Sequence, residues 1–385
     1  MDIGLSMFSI LSIGKNGDDA SCLTEKLGKR TSVFLLSLNI IFLGPVVAAP
    51  RAAATAFEFA LEPILGSGAS WIFGILFFSA VIFLSTIKAL IINMIGNFLD
   101  PFIFISLMIL IIKGTINPLG IIAPINDSAK VAREGIMAGY QTMDILAAVV
   151  YSSTIICGVK AKGYTSRKAS FRVTAVAALV AGITLGLVYG GLSYLGATVS
   201  SIYGASLDRA ALLSAIVRGI LGEKGNIMLG IIVSLACLTA SIGILSSSAV
   251  AIRDLSGGKL SYKRTLIFFC GISCVLSNLG ISSIMALAAP VLSIICPVIL
   301  VIVILGAFSS FIKYDGVYKA AALTALVFGT LSTLESSFGV SLNTASLPLA
   351  EFGFSWVIPT AISVLLSSVY YRIKKLEAIP EVSRI

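Results

Sequence analysis

Ten apolar runs, most of them long enough to cross a bilayer, follow one another between residues 31 and 371. They occupy 31–57, 71–94, 98–112, 136–157, 172–197, 226–252, 265–283, 284–310, 317–337 and 354–371. A spanning helix needs roughly 20 apolar residues, so the pattern predicts an all-α polytopic membrane protein with ten spans. Charge agrees: only 12% of the 385 residues are charged, where a soluble domain carries about 25%. So little charge cannot solvate a water-facing surface, which excludes a soluble enzyme, a disordered scaffold and a nucleic-acid-binding domain. Nor does any segment alternate polar and apolar residues as an outer-membrane strand does.

The net charge of +9 is explained by position, not by an anionic partner. Twenty of the 27 basic residues fall in segments that alternate along the chain. Lys15, Lys26, Lys29 and Arg30 form one group; Lys160, Lys162, Arg167, Lys168 and Arg172 a second; Arg253, Lys259, Lys263 and Arg264 a third. Lys313, Lys319, Arg372, Lys374, Lys375 and Arg384 follow, and Lys88 precedes a short turn at 95–98. With ten spans every group falls on one side, which the positive-inside rule makes cytoplasmic. The expectation is a multi-pass inner-membrane protein with its C-terminus inside. It divides into a helix stub and basic cytoplasmic loop (1–30), a transmembrane domain (31–371) and a cytoplasmic tail (372–385). Residues 3–13 are apolar but too short to span, and Asp2 is the sole charge ahead of Lys15, unlike a secretory signal. They read equally as the back half of a transmembrane helix or as an interfacial segment.

Several polar residues interrupt the apolar runs. Asp144 lies near the middle of 136–157, preceded by Gly139, Tyr140, Gln141 and Thr142. A charge at the bilayer centre costs about 2.5–3.5 kcal/mol on insertion scales, so it belongs on an interior face. Gly135 and Gly139 weaken the helix, and an unwound stretch here would expose backbone groups as secondary transporters do. The other reading is an interhelical hydrogen-bonding cluster with no ligand. Gly44-Pro45 and Pro50-Arg51 break or kink the first run. Arg51 and Glu58, seven apart, share a face and either bracket a vestibule or pair at the membrane boundary. Thr239 and Ser241 offer hydroxyls suited to Na⁺, or equally to interhelical bonding. Gly182, Gly186 and Gly190 read as a close-packing face. Ser277-Asn278-Leu279-Gly280 is a turn signal, and Pro290 and Pro297 imply a bent helix. Glu335 and Glu351 read as solvated outer helix ends.

Absences narrow the chemistry. The chain has six cysteines, no CxxC and no histidine, which argues against zinc or haem. It has no phosphate-binding GxxxxGK[ST] loop and hence no built-in ATPase. It lacks a voltage-sensing arginine helix and a channel filter, and shows no HExxH or GxSxG motif. Broken helices without an energy-consuming domain point to a gradient-driven carrier.

Six segments, in order, carry a resemblance. Gly44-Pro45-Val46-Val47-Ala48-Ala49-Pro50-Arg51 running to Glu58, Gly96-Asn97-Phe98-Leu99-Asp100-Pro101, Gly139-Tyr140-Gln141-Thr142-Met143-Asp144, Ser277-Asn278-Leu279-Gly280, Pro290-Val291-Leu292, and Leu347-Pro348-Leu349-Ala350-Glu351 with Trp356 and Pro359-Thr360 resemble signatures of the branched-chain amino acid:cation symporters, the LIVCS or BrnQ-type family. The likeness runs from about residue 5 to about residue 371. It implies a LeuT-like inverted-repeat helix bundle, with about ten of the family's twelve helices present, importing leucine, isoleucine and valine by Na⁺ or H⁺ symport. No other cofactor and no ATPase subunit is implied; the partners are the substrate and the bilayer.

On that resemblance 136–157 is the sixth helix, one of two broken ones. Gly139, Tyr140, Thr142, Met143 and Asp144 then lie at or beside the substrate, Met143 and Ala48 line its aliphatic pocket, and Thr239 and Ser241 lie near the Na⁺ site. The family's first helix and most of its second have no counterpart here. A mis-assigned start codon, a non-transporting remnant or amino-acid-binding membrane protein, and a carrier that assembles differently are the competing expectations. A membrane enzyme is disfavoured by the missing histidine and the few intramembrane carboxylates.

Overall fold

A computed structural model describes residues 2–17, 19–62, 66–86, 90–124, 127–142, 144–203, 207, 209–312, 314–339 and 342–377. These residues form helices joined by short turns, with no strand among them. In order they are α1 (Asp2–Asn16), α2 (Lys29–Ala60), α3 (Ser70–Thr86), α4 (Leu90–Ile116), α5 (Ser128–Gln141), α6 (Asp144–Ala161), α7 (Arg167–Thr198), α8 (Arg209–Leu255), α9 (Tyr262–Ser277), α10 (Ile281–Ala307), α11 (Asp315–Phe338) and α12 (Val357–Glu377). Six of the described helices are long and apolar enough to cross a membrane, and α3 and the Pro101–Ile116 part of α4 are shorter apolar helices. Lipid offers the backbone no hydrogen bonds, so each spanning segment must satisfy its own. The chain is a multi-pass membrane protein.

The sequence predicts ten spans; six of the described helices qualify by length and apolarity, and the boundaries of several runs differ. Gly96-Asn97 lies inside α4 and is no turn, so the run 98–112 lengthens to Leu90–Ile116. Inside a bilayer the helical penalty of about 1 kcal/mol for one glycine is smaller than the cost of unpaired backbone groups. Pro290 and Pro297 are likewise carried within a continuous α10. The run 226–252 extends to α8, whose Gly222 has φ 74° and ψ −170° and interrupts the helical geometry. The tail expected from 372 is helical as far as Glu377; cations in a last turn suit the negative end of a helix. The turn at Asn278-Leu279-Gly280 is present, with Gly280 at φ 77°. The close-packing face does not form as expected: Gly186 and Gly190 have no atom within 4 Å of where a Cβ would stand. Lys88, Lys313 and Arg384 fall outside the described residues.

The chain divides into two compact units. The first comprises Met1–Asn39, Asp127–Val180 and Ala289–Ile385; the second comprises Ile40–Asn126 and Ala181–Ala288. In the first, α1 packs along α6, and Ile13, Leu23, Leu146, Ile302 and Tyr318 are fully buried. Polar stitches fix the C-terminal end of α10, whose last carbonyls have no partner within the helix. Ser12 Oγ donates to Val303 O at 2.6 Å, Asn16 Nδ2 to Gly306 O at 2.7 Å, and Lys15 Nζ to Ala307 O at 2.7 Å. In the second unit Leu110 and Ile111 of α4 pack with Leu195 and Val199, Ile216 and Val217, and Leu229.

Candidate functional site

In the first unit a helix end and a helix start meet where the sequence predicts an interruption, with Thr142 in a turn. α5 ends at Gln141 and α6 begins at Asp144. No atom approaches within 4 Å of a Cβ position at Gly135 or Gly139, so packing does not demand glycine there. What both contribute is weak helicity, about 1 kcal/mol each relative to alanine, just before the break. Thr142 Oγ1 donates to Gly139 O at 2.8 Å, which satisfies one of the carbonyls left over at the end of α5. Asp144 is half-buried and is the first residue of α6, where the positive end of the helix dipole favours a carboxylate. Met143 and the side chain of Tyr140 lie outside the described residues.

Beside the break stands Asn39 of α2, which the sequence reading overlooked. It is fully buried. Its Nδ2 donates to the Leu146 carbonyl in the first turn of α6 at 3.3 Å, and its Oδ1 is buried with no partner among the described residues. The α1 helix, packed along α6, adds Ser6 and Ser9, whose buried hydroxyls are likewise without partners among the described residues. A buried hydroxyl or amide left unbonded costs about 1–3 kcal/mol. One asparagine within Ser37-Leu38-Asn39-Ile40-Ile41 was the available signal; a single polar residue in an apolar run is expensive and rarely idle.

The second unit holds Ala48, Arg51, Glu58, Thr239 and Ser241. Around Gly44-Pro45 the chain does not break: Phe42–Ala48 forms a π-helical stretch, with the Ala49 N–H reaching back to Gly44 O. Such stretches recur at functional sites. Ser273 Oγ donates to Pro45 O at 2.8 Å. A Cβ on Gly44 would stand 2.6 Å from Ser248 Oγ, so only glycine allows this approach. Ala48, the last residue of the stretch, is half-buried.

The two hydroxyls have different surroundings. Thr239 and Ser241 are two apart on a continuous part of α8, and residues so spaced do not face each other. Thr239 Oγ1 lies 3.1 Å from Leu235 O and 2.9 Å from Ala236 O, so its proton is donated within its own helix while its lone pairs stay available. Ser241 is fully buried, and its Oγ has no partner among the described residues. The residue that shares its condition is Ser248, seven positions on, also fully buried and unpartnered. A spacing of seven puts both on one face.

Arg51 Nη1 lies 3.7 Å from the Met285 sulfur. Glu58, with Glu62, lines a cavity of about 160 Å³ that also includes Ser277 and Asn278. Glu351 pairs with Arg133 at 2.9 Å, both well exposed. Glu335 is not merely solvated: its Oε2 accepts from the Thr344 N–H at 2.8 Å and from the Thr344 hydroxyl. None of the six cysteines is in a disulfide. No group of three or more metal-ligating side chains occurs among the described residues.

Comparison with known proteins gives one answer. A family model described as branched-chain amino acid transport protein matches residues 1–374. The branched-chain amino acid permease BrnQ of Salmonella typhimurium is 32% identical over 379 residues, covering 96% of this chain and 86% of that protein. The branched-chain amino acid permease BraB of Bacillus subtilis is 30% identical over 380 residues, covering 95% and 85%. The branched-chain amino acid transport system 2 carrier protein of Pseudomonas aeruginosa is 28% identical over 382 residues, covering 96% and 86%.

Proposed function

This chain belongs to the branched-chain amino acid transport protein family, a family of transporters and not of enzymes, and from that premise we propose that it is a secondary carrier of leucine, isoleucine and valine. It moves them by alternating access, in symport with Na⁺ or H⁺, across the inner membrane, with the basic loops and the C-terminus on the cytoplasmic side. The LeuT-like inverted-repeat fold follows from the same family resemblance.

The observation that supports this reading is the gap between α5 and α6, with Asp144 at its edge and the Asn39 amide beside it. Backbone carbonyls at the end of α5 attract an ammonium group, and N–H groups at the start of α6 attract a carboxylate. A zwitterion meets both demands. Asp144 supplies a negative charge at the gap for the ammonium group, and Asn39 presents a buried oxygen that lacks a donor among the described residues. Gly139, Tyr140, Thr142 and Met143 complete the segment. Apolar packing separates leucine from isoleucine or valine by only about 1–3 kcal/mol, so the three substrates overlap.

For a coupling Na⁺, the carrier's oxygen donors are Ser241 and Ser248 of α8 and the carbonyls loosened by the π-helical stretch Phe42–Ala48. This adds Ser248 to the expected pair of Thr239 and Ser241. Cation binding drives the cycle by its differential affinity for two states.

The test is uptake of labelled leucine into proteoliposomes, with and without an inward Na⁺ or H⁺ gradient. The expected result is accumulation that needs one of the gradients and collapses in Asp144→Asn, while that variant keeps its thermal stability. Leucine binding without uptake, or uptake indifferent to both gradients, overturns the proposal.

A further inference from the structure

A cavity of the first unit lies at the other end of α6 from the gap between α5 and α6 and differs from that gap in chemistry. It is an open groove of about 510 Å³. Its walls come from the turn after α1, the C-terminal part of α6 and the first turns of α7, so it sits at the basic end of this unit. Lys160 and Arg167 line it, and Lys162, Lys168 and Arg172 are exposed in the same segment.

The α7 wall is ordered by helical spacing. Arg167, Ser170, Phe171 and Thr174 all line the cavity, and their spacing of three, four and seven places them on one face. This is the N-terminal end of a helix of 32 residues, where the dipole favours an anion; the Ala169 and Ser170 N–H groups are bonded to Ser166, so side chains rather than those amides face a ligand. Arg167 is held in place: its Nη2 donates to Lys15 O at 2.5 Å, leaving the rest of the guanidinium fork for a ligand. Asp19 is the one acidic residue among those lining the cavity, and one of its oxygens is bonded within its own turn. Its Oδ1 accepts from the Ser21 N–H at 2.9 Å, the Ser21 hydroxyl at 2.5 Å and the Cys22 N–H at 3.3 Å.

An independent observation points to a ligand. Thr174 is only 1% exposed, yet its hydroxyl has no hydrogen-bond partner among the described residues. A buried donor on a cavity wall, one helical turn beyond Ser170, is the arrangement a bound oxyanion would complete. Ile156 and Phe171 add apolar surface to a wall that also carries Asn16, Ser21 and Thr165, and Tyr164 is exposed nearby. A basic end, a buried hydroxyl and an apolar flank match a phosphate group carried on something partly hydrophobic.

We propose that this cavity binds a phosphate-bearing anion through Arg167, Lys160, Ser170 and Thr174. The phosphate comes from the headgroup of an anionic phospholipid or from free phosphate. The site stands apart from the substrate reading and does not depend on it.

The experiment uses the full chain. Thermal unfolding is followed in detergent with added inorganic phosphate, and in nanodiscs of phosphatidylcholine with and without phosphatidylglycerol. The expected result is a higher unfolding temperature with phosphatidylglycerol, with phosphate, or with both. A response to phosphatidylglycerol alone assigns the lipid headgroup, and a response to millimolar phosphate assigns the free ion. Arg167→Gln should raise the ligand concentration needed by about tenfold or more, the loss of a charge-assisted contact. Because Arg167 also holds the α1 end, Thr174→Val provides the second variant: it should keep its ligand-free stability and weaken the response. Lys263→Gln, in the second unit, should leave the response unchanged. No stabilisation by either probe overturns the proposal. So does an effect that survives both Arg167→Gln and Thr174→Val, or one that Lys263→Gln weakens equally, since surface charge alone would then account for it.

Discussion

Alanine at position 44 tests the π-helical stretch directly. The added methyl would stand 2.6 Å from Ser248 Oγ, 3.4 Å from Ser248 Cβ and 3.9 Å from Ile244 Cγ1. Only the first is a serious overlap. Forcing one extra methyl into a packed site costs about 1–3 kcal/mol, while exchanging glycine for alanine in a helix returns about 1 kcal/mol. Gly44→Ala alone should therefore lower stability by about 0–2 kcal/mol. Ser248→Ala removes a buried hydroxyl that has no partner and should be neutral or mildly stabilising. In the double variant the overlap is gone and the propensity gain remains. The coupling between the two changes is then the overlap itself, about 1–3 kcal/mol. For a chain this long that corresponds to roughly 1–4 °C in unfolding temperature. A thiol-reactive dye at one fixed scan rate is a suitable probe, because Cys270 and Cys296 are in no disulfide and stay buried until the helices separate. Shifts that simply add, within about 1 °C, would refute the close approach of Gly44 to Ser248 and with it the donor set assigned to the coupling ion.

Three further outcomes are expected. Asn39→Leu removes an unbonded buried oxygen together with one long hydrogen bond; stability should move by no more than about 1 kcal/mol, while leucine uptake should fall about tenfold or more. Unchanged uptake would make Asn39 a packing residue. Lys26, whose Nζ donates to Tyr318 OH at 2.9 Å and sits 4.0 Å above that ring, has its pKa pushed below 10.5 by burial, which Asp315 partly opposes. A base depressed in the folded state binds fewer protons there than when unfolded. Its contribution is therefore fully present above pH 10.5 and is lost as pH falls through the lowered value. Unfolding temperatures should rise with pH across that interval, and Lys26→Gln should flatten the rise. Arg133→Gln breaks an exposed ion pair with Glu351 and should cost less than about 1 kcal/mol; a larger loss in chemical denaturation would show the pair to be part of a wider network.

The membrane architecture was legible because apolar length and the distribution of lysine and arginine are dictated by the bilayer. The gap before Asp144 was legible for a local reason: Gly135, Gly139 and an intramembrane carboxylate all disfavour an unbroken rod. Gly280 marked its turn by the same backbone preference. Other features depend on partners distant in sequence. Gly44-Pro45 reads as a break, and becomes a π-helical stretch only because Ser273 and α8 stand beside it. Asn39 looks like any lone polar residue until Leu146 is placed against it. Thr239 and Ser241 look equivalent as hydroxyls, but one donates within its own helix and the other has no partner among the described residues. Gly186 and Gly190 have the spacing of a packing seam, yet no side chain fills it.

The π-helical stretch has a consequence for the outer part of α2. Such a segment accommodates one surplus residue, and each residue of an α-helix advances the rotation by about 100°. A helical wheel drawn from Lys29 therefore aims every position after Ala48 in the wrong direction. Excising a single residue between Phe42 and Ala48 would restore ordinary winding and swing Glu58 off the cavity it shares with Glu62 and Asn278. In this stretch a deletion would act as a rotation, re-aiming a carboxylate without altering any side chain around it.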